Sequence, residues 1–191
     1  MGLPDHEPIL AIVRSDPEYV SAFQAVFGKT GAAVTRTEVV QAIAAFERTL
    51  IFGDSPFDRW HYGGDAQAVN EAAARGFKVF IEDGRCVSCH AIEHDHALFT
   101  DNRFHNIGVG INGIQEDVPE LASAFLEAKA RGIDVDKVVL TNQRTSELGR
   151  FAITDSVEEM GAFKTSTLRN IAGTAPYMHD GSIATLEGVL D

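Results

Sequence analysis

The sequence predicts an all-α protein with long loops, and three features of its 191 residues support this fold class. Several segments place apolar residues at helical spacing, and they begin and end at residues typical of helix caps. The two-residue alternation of half-buried strands is rare. Residues 91–118 contain three closely spaced glycines and residues 141–183 are rich in Gly, Thr, Ser and Asn, so both are predicted to be loops. Such long loops are usually functional, for example when they wrap around a large cofactor.

The first predicted helix begins at Pro17, directly after Asp16, which suits the N-cap position. Its apolar residues recur at helical spacing, and they are Tyr19, Phe23, Val26 and Phe27. Gly28 suits the C-terminal end, because glycine readily adopts the left-handed conformation found there.

A second, clearer helix is predicted after Thr35, which can form a capping box with Glu38. Its predicted apolar face consists of Val39, Ile43, Phe46 and Leu50. Gly53 is expected to end this helix. Residues 54–65 follow and contain many helix breakers, so they mark the best candidate for a domain boundary.

Three further helices are predicted in the rest of the chain. Residues 65–82 form the third helix and lead directly into a cysteine motif, whereas residues 119–132 form the fourth, which Gly132 ends. Between the later helices, residues 137–140 read either as a short strand or as a buried helical piece. Thr185 is a suitable cap for a last helix that continues to the end of the sequence.

Composition excludes some classes of protein. The formal net charge of −12 argues against a nucleic-acid-binding surface and against adhesion to anionic membranes. No apolar run approaches the ~20 residues that span a bilayer. The first ten residues, MGLPDHEPIL, lack the basic and apolar regions of a signal peptide. Composition therefore leaves two locations open, the cytoplasm or a compartment reached with a leader that lies outside this sequence.

The segment Cys86-Val87-Ser88-Cys89-His90 matches the motif for covalent attachment of c-type haem. Two thiols at this spacing can add to the two vinyl groups on one edge of a haem. The adjacent histidine then becomes the proximal ligand of the iron, provided that its other ring nitrogen donates to an acceptor.

The motif alone leaves other interpretations open. A zinc site needs about four ligands, and Cys86, Cys89, His94 and His96 can supply them. A thioredoxin-like redox pair usually lies near a βαβ pattern, which this sequence lacks, and a disulfide between such close residues contributes little stability. His94 and His96 also read as solvated loop residues, because acidic residues surround them.

Several longer motifs occur in order along the chain: AAFERTLIFGDSPFDRW, RCVSCH, LFTDNRFHNIGV and GAFKTSTLRNIAGTAPYMHDGSIATLEGVLD. Their order and spacing resemble the bacterial di-haem cytochrome c peroxidase family, which includes the MauG-like enzymes. The resemblance covers the whole chain, although Ser166 departs from the proline usual in that family. It implies a cytochrome c-like haem domain with long loops (residues 59–191), preceded by helices from the adjoining N-terminal haem domain (residues 1–58).

The resemblance implies how haem would be held and where peroxide would react. Cys86 and Cys89 would anchor haem c, and His90 would be the proximal ligand of the electron-accepting haem. A second haem, at which peroxide is activated, is expected in the parent protein. The family's catalytic glutamate aligns just before Met1, so no catalytic residue is assigned within this chain. Glu47 reads instead as a solvated helix residue.

Two further sites are implied by the resemblance. Arg169 would lie near the haem edge, where an arginine can contact a propionate. Thr174 and Pro176 match positions whose backbone carbonyls help to bind a structural calcium ion, a hard cation that prefers oxygen ligands.

The sixth ligand of this haem is Met or Tyr in the family, and it is expected a few residues beyond Asp191. The sequence thus looks truncated at both ends, and the chain alone is expected to be inactive towards peroxide. Met178 is expected to pack near the haem, Met160 in the core or at the surface, and His179 near the haem propionates or at a domain interface.

The implied function is the electron-transfer part of a periplasmic peroxidase, which reduces hydrogen peroxide with electrons from a small redox protein. Two alternatives stay open: a MauG-like oxidase that acts on a protein substrate, and a mono-haem electron carrier without catalysis. Nucleic acid and a membrane span are not expected, and a homodimer is one expected assembly.

Overall fold

The computed structural model describes residues 5–191, apart from the side chain of Leu140. The predicted match of Met1 to the end of the family's glutamate motif lies outside the described residues. Within them the regular structure is almost entirely helical, as the sequence predicts, and a single pair of two-residue strands accompanies the helices.

The α-helices are short to medium in length. They are α1 (Glu7–Ser15), α2 (Pro17–Phe27), α3 (Arg36–Glu47), α4 (Pro56–His61), α5 (Glu71–Ile81), α6 (Val118–Ala130), α7 (Val135–Thr141), α8 (Gln143–Ser146), α9 (Phe151–Thr154) and α10 (Leu186–Leu190). Single 3-10 turns occur at Gly31–Ala33, Cys86–Ser88, Ile111–Ile114, Val157–Glu159 and Ile171–Gly173. The strands β1 (Phe104–His105) and β2 (Phe163–Lys164) pair antiparallel, with Phe104 opposite Lys164 and His105 opposite Phe163.

The predicted caps of α2 and α10 are confirmed. The Asp16 carboxylate accepts a hydrogen bond from the Glu18 N–H at 2.9 Å, and Gly28 ends α2 in the left-handed conformation. At the start of the last helix, the Thr185 hydroxyl accepts from the Gly188 N–H at 3.1 Å. These caps satisfy backbone groups that have no partner within their own helix.

The end of α3 and its apolar face differ from the prediction. The helix ends at Glu47 instead of Gly53, because the Thr49 N–H and hydroxyl both turn back to the Phe46 carbonyl, at 2.8 and 2.7 Å. Most of the predicted apolar face is exposed, with Phe46 62% and Ile43 52% accessible. Of the predicted face, Val39 packs against the buried residues Val13, Phe23 and Val34.

Several shorter elements fall where the sequence predicts breakers or loops. The breaker-rich segment 54–65 contains α4, and the predicted loop 141–183 contains α8 and α9. Residues 137–140 lie within α7 and are therefore helical. The third predicted helix begins later than expected, because Asn70 accepts from the Ala73 N–H and caps α5.

The described chain divides into two compact units. The first contains the residues up to Ile51 together with Glu127–Ser146, and the second contains Phe52–Leu126 together with Glu147–Asp191. The predicted division into residues 1–58 and 59–191 stays a prediction. Among residues 5–191, each helix falls short of the length and apolar character that crossing a membrane requires.

Each unit has its own apolar core. In the first unit, Val13, Phe23 and Val34 are buried, and Val39 packs against them. The buried apolar residues of the second unit are Ala97, Ile111, Ile114, Phe125, Leu148, Phe151, Ala152 and Ala162. The second unit also contains the cysteine motif, so its packing positions the candidate site.

Candidate functional site

The cysteine motif forms a tight turn directly after α5. Cys86 begins a 3-10 turn, preceded by Arg85 in the left-handed conformation with φ 52°, and the His90 N–H closes the turn onto the Cys86 carbonyl at 2.9 Å. Both cysteines are half-buried and carry free thiols. The turn therefore presents Cys86, Cys89 and His90 together, as the haem motif requires.

His90 is held by a backbone acceptor from the following loop. Its Nδ1 lies 2.9 Å from the Phe99 carbonyl oxygen, and a carbonyl only accepts hydrogen bonds, so Nδ1 carries the proton. The lone pair of Nε2 is then available to a metal, which is the usual arrangement of a metal-binding histidine. Phe99 has φ 53°, a strained conformation for a bulky residue that indicates a constrained, functional segment.

A large cavity opens beside His90. Its volume is about 710 Å³, within the range of about 300–1,000 Å³ typical of ligand and cofactor sites. Much of its wall is apolar, and the aliphatic lining residues are Ile107, Val109, Leu168, Ile171, Leu186 and Val189. An apolar cavity next to two thiols and an oriented imidazole fits a haem attached to the cysteine motif.

Aromatic side chains support the loop that holds His90. Phe99 lies 5.1 Å from Phe57 of α4 and 6.3 Å from Phe80 of α5, measured between ring centroids. Phe57 also packs on Phe77 at 5.6 Å, and Trp60 contacts Phe77 edge to face at 5.2 Å. Aromatic pairs of this kind each contribute about 0.5–1.5 kcal/mol beyond the burial of their surface, so they help to fix the position of the Phe99 carbonyl.

Arg169 connects three parts of the second unit. Its guanidinium donates to both oxygens of Asp58 at 2.6 and 2.8 Å, and it donates twice to the Ala97 carbonyl at 2.8 and 2.6 Å. These contacts take up four of its five N–H groups. The predicted propionate contact stays a prediction, and Arg169 does line the cavity.

The Asp58–Arg169 pair has strong electrostatic effects. The hydrogen bonds from Arg169, helped by those from Ser55, hold the pKa of Asp58 well below its usual range, although burial opposes this shift. The same pairing raises the pKa of Arg169. Both side chains are largely buried, with 12% of Arg169 and 17% of Asp58 accessible, so the pair is an ionised, bidentate tie inside the unit.

A hydrogen-bonded histidine–glutamate pair lies at the cavity wall. His179 Nε2 lies 2.7 Å from a Glu147 carboxylate oxygen, and the His179 ring stacks on Phe163 of β2 at 3.5 Å between centroids. Gly110, with φ 74°, leaves room for this pair, because a β-carbon there would overlap the Glu147 carboxylate. His179 lies at the cavity, as does Met178.

The histidines of the zinc alternative are not brought together with the cysteines. His94 is exposed, and His96 pairs with Asp95 in the loop. Among the described residues, the one grouping of potential metal ligands is instead that of Cys89, Asp101 and His105, whose ligand atoms lie within 4.8 Å of one another. This group includes a haem-motif cysteine, so it belongs to the same site.

Asp101 remains ionised within this group. Burial alone would raise the pKa of Asp101, but hydrogen bonds from the Arg103 backbone and from His105 outweigh it and lower the pKa from 3.8 to about 2. Its carboxylate accepts from His105 Nε2 at 2.7 Å. This hydrogen bond between His105 and Asp101 therefore holds the loop that lies between the haem motif and β1.

Of the remaining predicted residues, two line the cavity and two do not. Thr174 and Pro176 both line the cavity, and their binding of calcium stays a prediction. Met160 accepts a hydrogen bond at its backbone carbonyl from Asn106 and is absent from the described cavity lining. Glu47 is exposed at the end of α3.

Sequence reasoning missed three residues of this site. Asp58 had a local signal, because it forms a capping box with Ser55 at the start of α4, although that signal does not reveal its partner Arg169. The carbonyl of Phe99 and the carboxylate of Glu147 had none, because their partners lie far along the chain or involve the backbone alone.

Comparison with known proteins places this geometry in context. Residues 1–67 match the model of a family described as di-haem cytochrome c peroxidase. The chain is 33% identical over 184 residues to cytochrome-c peroxidase IdrP1 of Denitromonas iodatirespirans, a match that covers 93% of this chain and 46% of that protein. It is 34% identical over 179 residues to methylamine utilization protein MauG of Methylorubrum extorquens, covering 94% of this chain and 40% of that protein.

Other comparisons agree. The chain is 33% identical to cytochrome c551 peroxidase of Pseudomonas aeruginosa, covering 91% of this chain and 41% of that protein. Its structure resembles the crystal structure of a MauG-like protein associated with microbial copper homeostasis, with a TM-score of 0.56, 31% identity, and coverage of 97% of this chain and 47% of that one. The chain thus spans less than half the length of these relatives.

Proposed function

Since the chain is related to the di-haem cytochrome c peroxidases and the MauG proteins over most of its length, we propose that it carries haem c and transfers electrons within a peroxidase. The parent protein would reduce hydrogen peroxide with electrons from a small redox protein. It would act in the periplasm, hold a second haem, and bind calcium through Thr174 and Pro176. A homodimer is a further part of this proposal.

The donor set of this chain fits a covalently attached haem. Cys86 and Cys89 present free thiols on one turn, and His90 has its Nε2 free of the Phe99 contact that holds Nδ1. When bound, haem supplies an iron that gains and loses single electrons. The residues of the chain hold it, exclude water through the apolar wall, and fix the orientation of the imidazole.

The orientation of His90 is the observation that supports this proposal most strongly. The hydrogen bond from His90 Nδ1 to the Phe99 carbonyl prepares an iron ligand at the mouth of a cavity of suitable size. A solvated or structural histidine would need neither the fixed tautomer nor the adjacent cavity.

Electron transfer from a reduced small c-type cytochrome tests the proposed function. The haem-loaded chain is mixed with the cytochrome without oxygen, and the absorbance of both proteins is followed. We expect one equivalent of cytochrome to be oxidised for each haem reduced in the chain. A matched preparation of the Cys86→Ala, Cys89→Ala variant, which lacks the anchors, should leave the cytochrome reduced. Absence of electron exchange with the loaded wild-type chain contradicts the proposal.

A MauG-like oxidase is the second candidate, and the 34% identity to a MauG protein supports it. The two functions differ in what the parent protein oxidises in the presence of hydrogen peroxide. Repeated oxidation of the small cytochrome supports a peroxidase, whereas modification of side chains in a protein substrate supports the MauG-like activity. A carrier without catalysis would consume no peroxide in either assay.

A further inference from the structure

The Glu147–His179 pair lies at the haem cavity but has no part in the proposed attachment of haem. Glu147 is buried, with 9% of its side chain accessible, and the His179 side chain is 23% accessible. Their nitrogen and oxygen atoms are 2.7 Å apart. Burying a carboxylate is costly unless it is paired, so the position of Glu147 indicates that its contact with His179 is a built feature of the cavity wall.

The surroundings fix the orientation of the His179 ring. Stacking on Phe163 at 3.5 Å with a 12° angle between the planes fixes the plane of the ring. An ionised carboxylate only accepts hydrogen bonds, so Glu147 selects the tautomer with the proton on Nε2. The remaining nitrogen, Nδ1, is then the atom that can take up a proton.

We propose that His179 is a redox-linked proton acceptor, which takes one proton at Nδ1 from water for each electron that the bound haem receives from a small redox protein. This inference rests on the proposed function, because it requires haem in the cavity. Electrons and protons balance: the donor would lose one electron to the bound haem, and the buffered solvent would supply one proton that converts neutral His179 to imidazolium. Both charges enter the same cavity and largely cancel.

Electrostatics favours this coupling. An electron added to the cavity makes it more negative, and a cation close by is then stabilised, more strongly in a poorly hydrated site than in water. Glu147 supplies a permanent negative partner for the imidazolium. Histidine is also the side chain that ordinarily changes charge between pH 5 and 8, so the coupling would operate in the physiological range.

Other charged groups face the pair from the neighbouring elements. His105 of β1 and Lys164 of β2 line the same cavity, and Asp180 follows His179 in the chain. The propionates of a bound haem would add negative charge. Among the described side chains, the carboxylate in hydrogen-bond contact with the His179 ring is that of Glu147, so we assign the coupling to this pair.

The reduction potential of the haem, measured spectroscopically between pH 5 and 8, tests the inference. For the haem-loaded wild-type chain, we expect the potential to fall by about 59 mV for each tenfold decrease in proton concentration over part of this range. His179→Gln should remove most of this slope. Glu147→Gln keeps the shape of the side chain but removes its negative charge, which favours the imidazolium. The pH range over which the potential changes should therefore move to lower pH. The matched control is His96→Gln, which changes an exposed histidine paired with Asp95 and should leave the slope unchanged.

The outcomes separate this inference from the proposed function. A chain that takes up no haem overturns the proposed function and the inference with it. The inference alone is overturned if the reduction potential of the haem-loaded His179→Gln variant still depends on pH as it does in the wild type. It is also overturned if Glu147→Gln leaves the pH range of this dependence unchanged. Should His179→Gln fail to bind haem, the near-isosteric Glu147→Gln variant still decides the question.

Discussion

Arg169 and His90 show how single contacts hold the haem-binding loop. His90 is fixed by one carbonyl at 2.9 Å, and Arg169 ties the neighbouring Ala97 carbonyl to the Asp58 carboxylate on α4. The Arg169 side chain also lies over the Phe99 ring, with its guanidinium carbon 5.4 Å from the centroid. The loop that orients His90 is therefore held by both polar and aromatic contacts.

Replacement of Arg169 by lysine should destabilise the haem-loaded chain by about 2 kcal/mol at pH 7. This is less than the about 3–5 kcal/mol lost when a fully buried pair is broken, because lysine keeps the charge and both side chains retain some exposure. Urea unfolding followed by circular dichroism measures the change. The matched control is Arg75→Lys on α5, whose pair with Glu71 is exposed and should change stability by less than about 0.5 kcal/mol.

The effect of Arg169→Lys should also depend on pH. The folded-state pKa of Asp58 lies below its ordinary value of 3.8, so this pair stabilises the fold above that value. The stabilisation is lost as the pH falls towards the lower pKa of the folded state. The difference between the variant and the wild type should therefore shrink below about pH 4. An equal difference at pH 3 and pH 7 would contradict this account of the pair.

Sequence predicts the local part of the site but not its distant partners. Cys86, Cys89 and His90 are adjacent in the chain, so a five-residue motif indicates their chemistry. Asp58 and Arg169 lie 111 residues apart, and no periodicity or spacing brings them together. The same holds for Glu147, since only the folded chain shows which histidine it contacts.

Helix caps were predictable, whereas burial was not. Caps depend on one or two neighbouring side chains, and Asp16, Gly28 and Thr185 act as their residue types suggest. The buried side of α3 depends on what packs against it, and of the one predicted stripe the structure packs Val39 but leaves Phe46 exposed. Apolar spacing predicts that a helix has an apolar face but not which other element covers that face.

Two phenylalanines in the first unit test which residues are buried there and which face of α3 is exposed. Phe23 is 7% accessible in the core, whereas Phe46 on α3 is 62% accessible. Phe23→Ala should lower the free energy of unfolding by about 3–5 kcal/mol through lost packing and a residual cavity. Phe46→Ala, the same chemical change at an exposed site, should alter it by about 0.5 kcal/mol or less.

Chemical unfolding of both variants distinguishes the two sites. If Phe46→Ala is as destabilising as Phe23→Ala, the outer face of α3 is buried in solution, and the assignment of its packing side is wrong.

The chain as a whole has the predicted all-α fold class, and it contains two separately packed units. Its helical content and long loops follow from spacing, caps and loop-forming residues, and the matches to peroxidases and MauG proteins agree with the ordered motifs. The return of Glu127–Ser146 to the first unit was not predictable, because it depends on contacts between segments that are distant along the chain.

Haem staining after denaturing electrophoresis tests the central claim most directly, because only a thioether-linked haem stays with the unfolded polypeptide. The chain is expressed in a host that matures c-type cytochromes, beside the Cys86→Ala, Cys89→Ala variant. We expect a stained band at about 20.7 kDa for the wild type and no stain for the variant. A colourless wild-type chain that binds stoichiometric zinc, or a haem that denaturation removes, would contradict it.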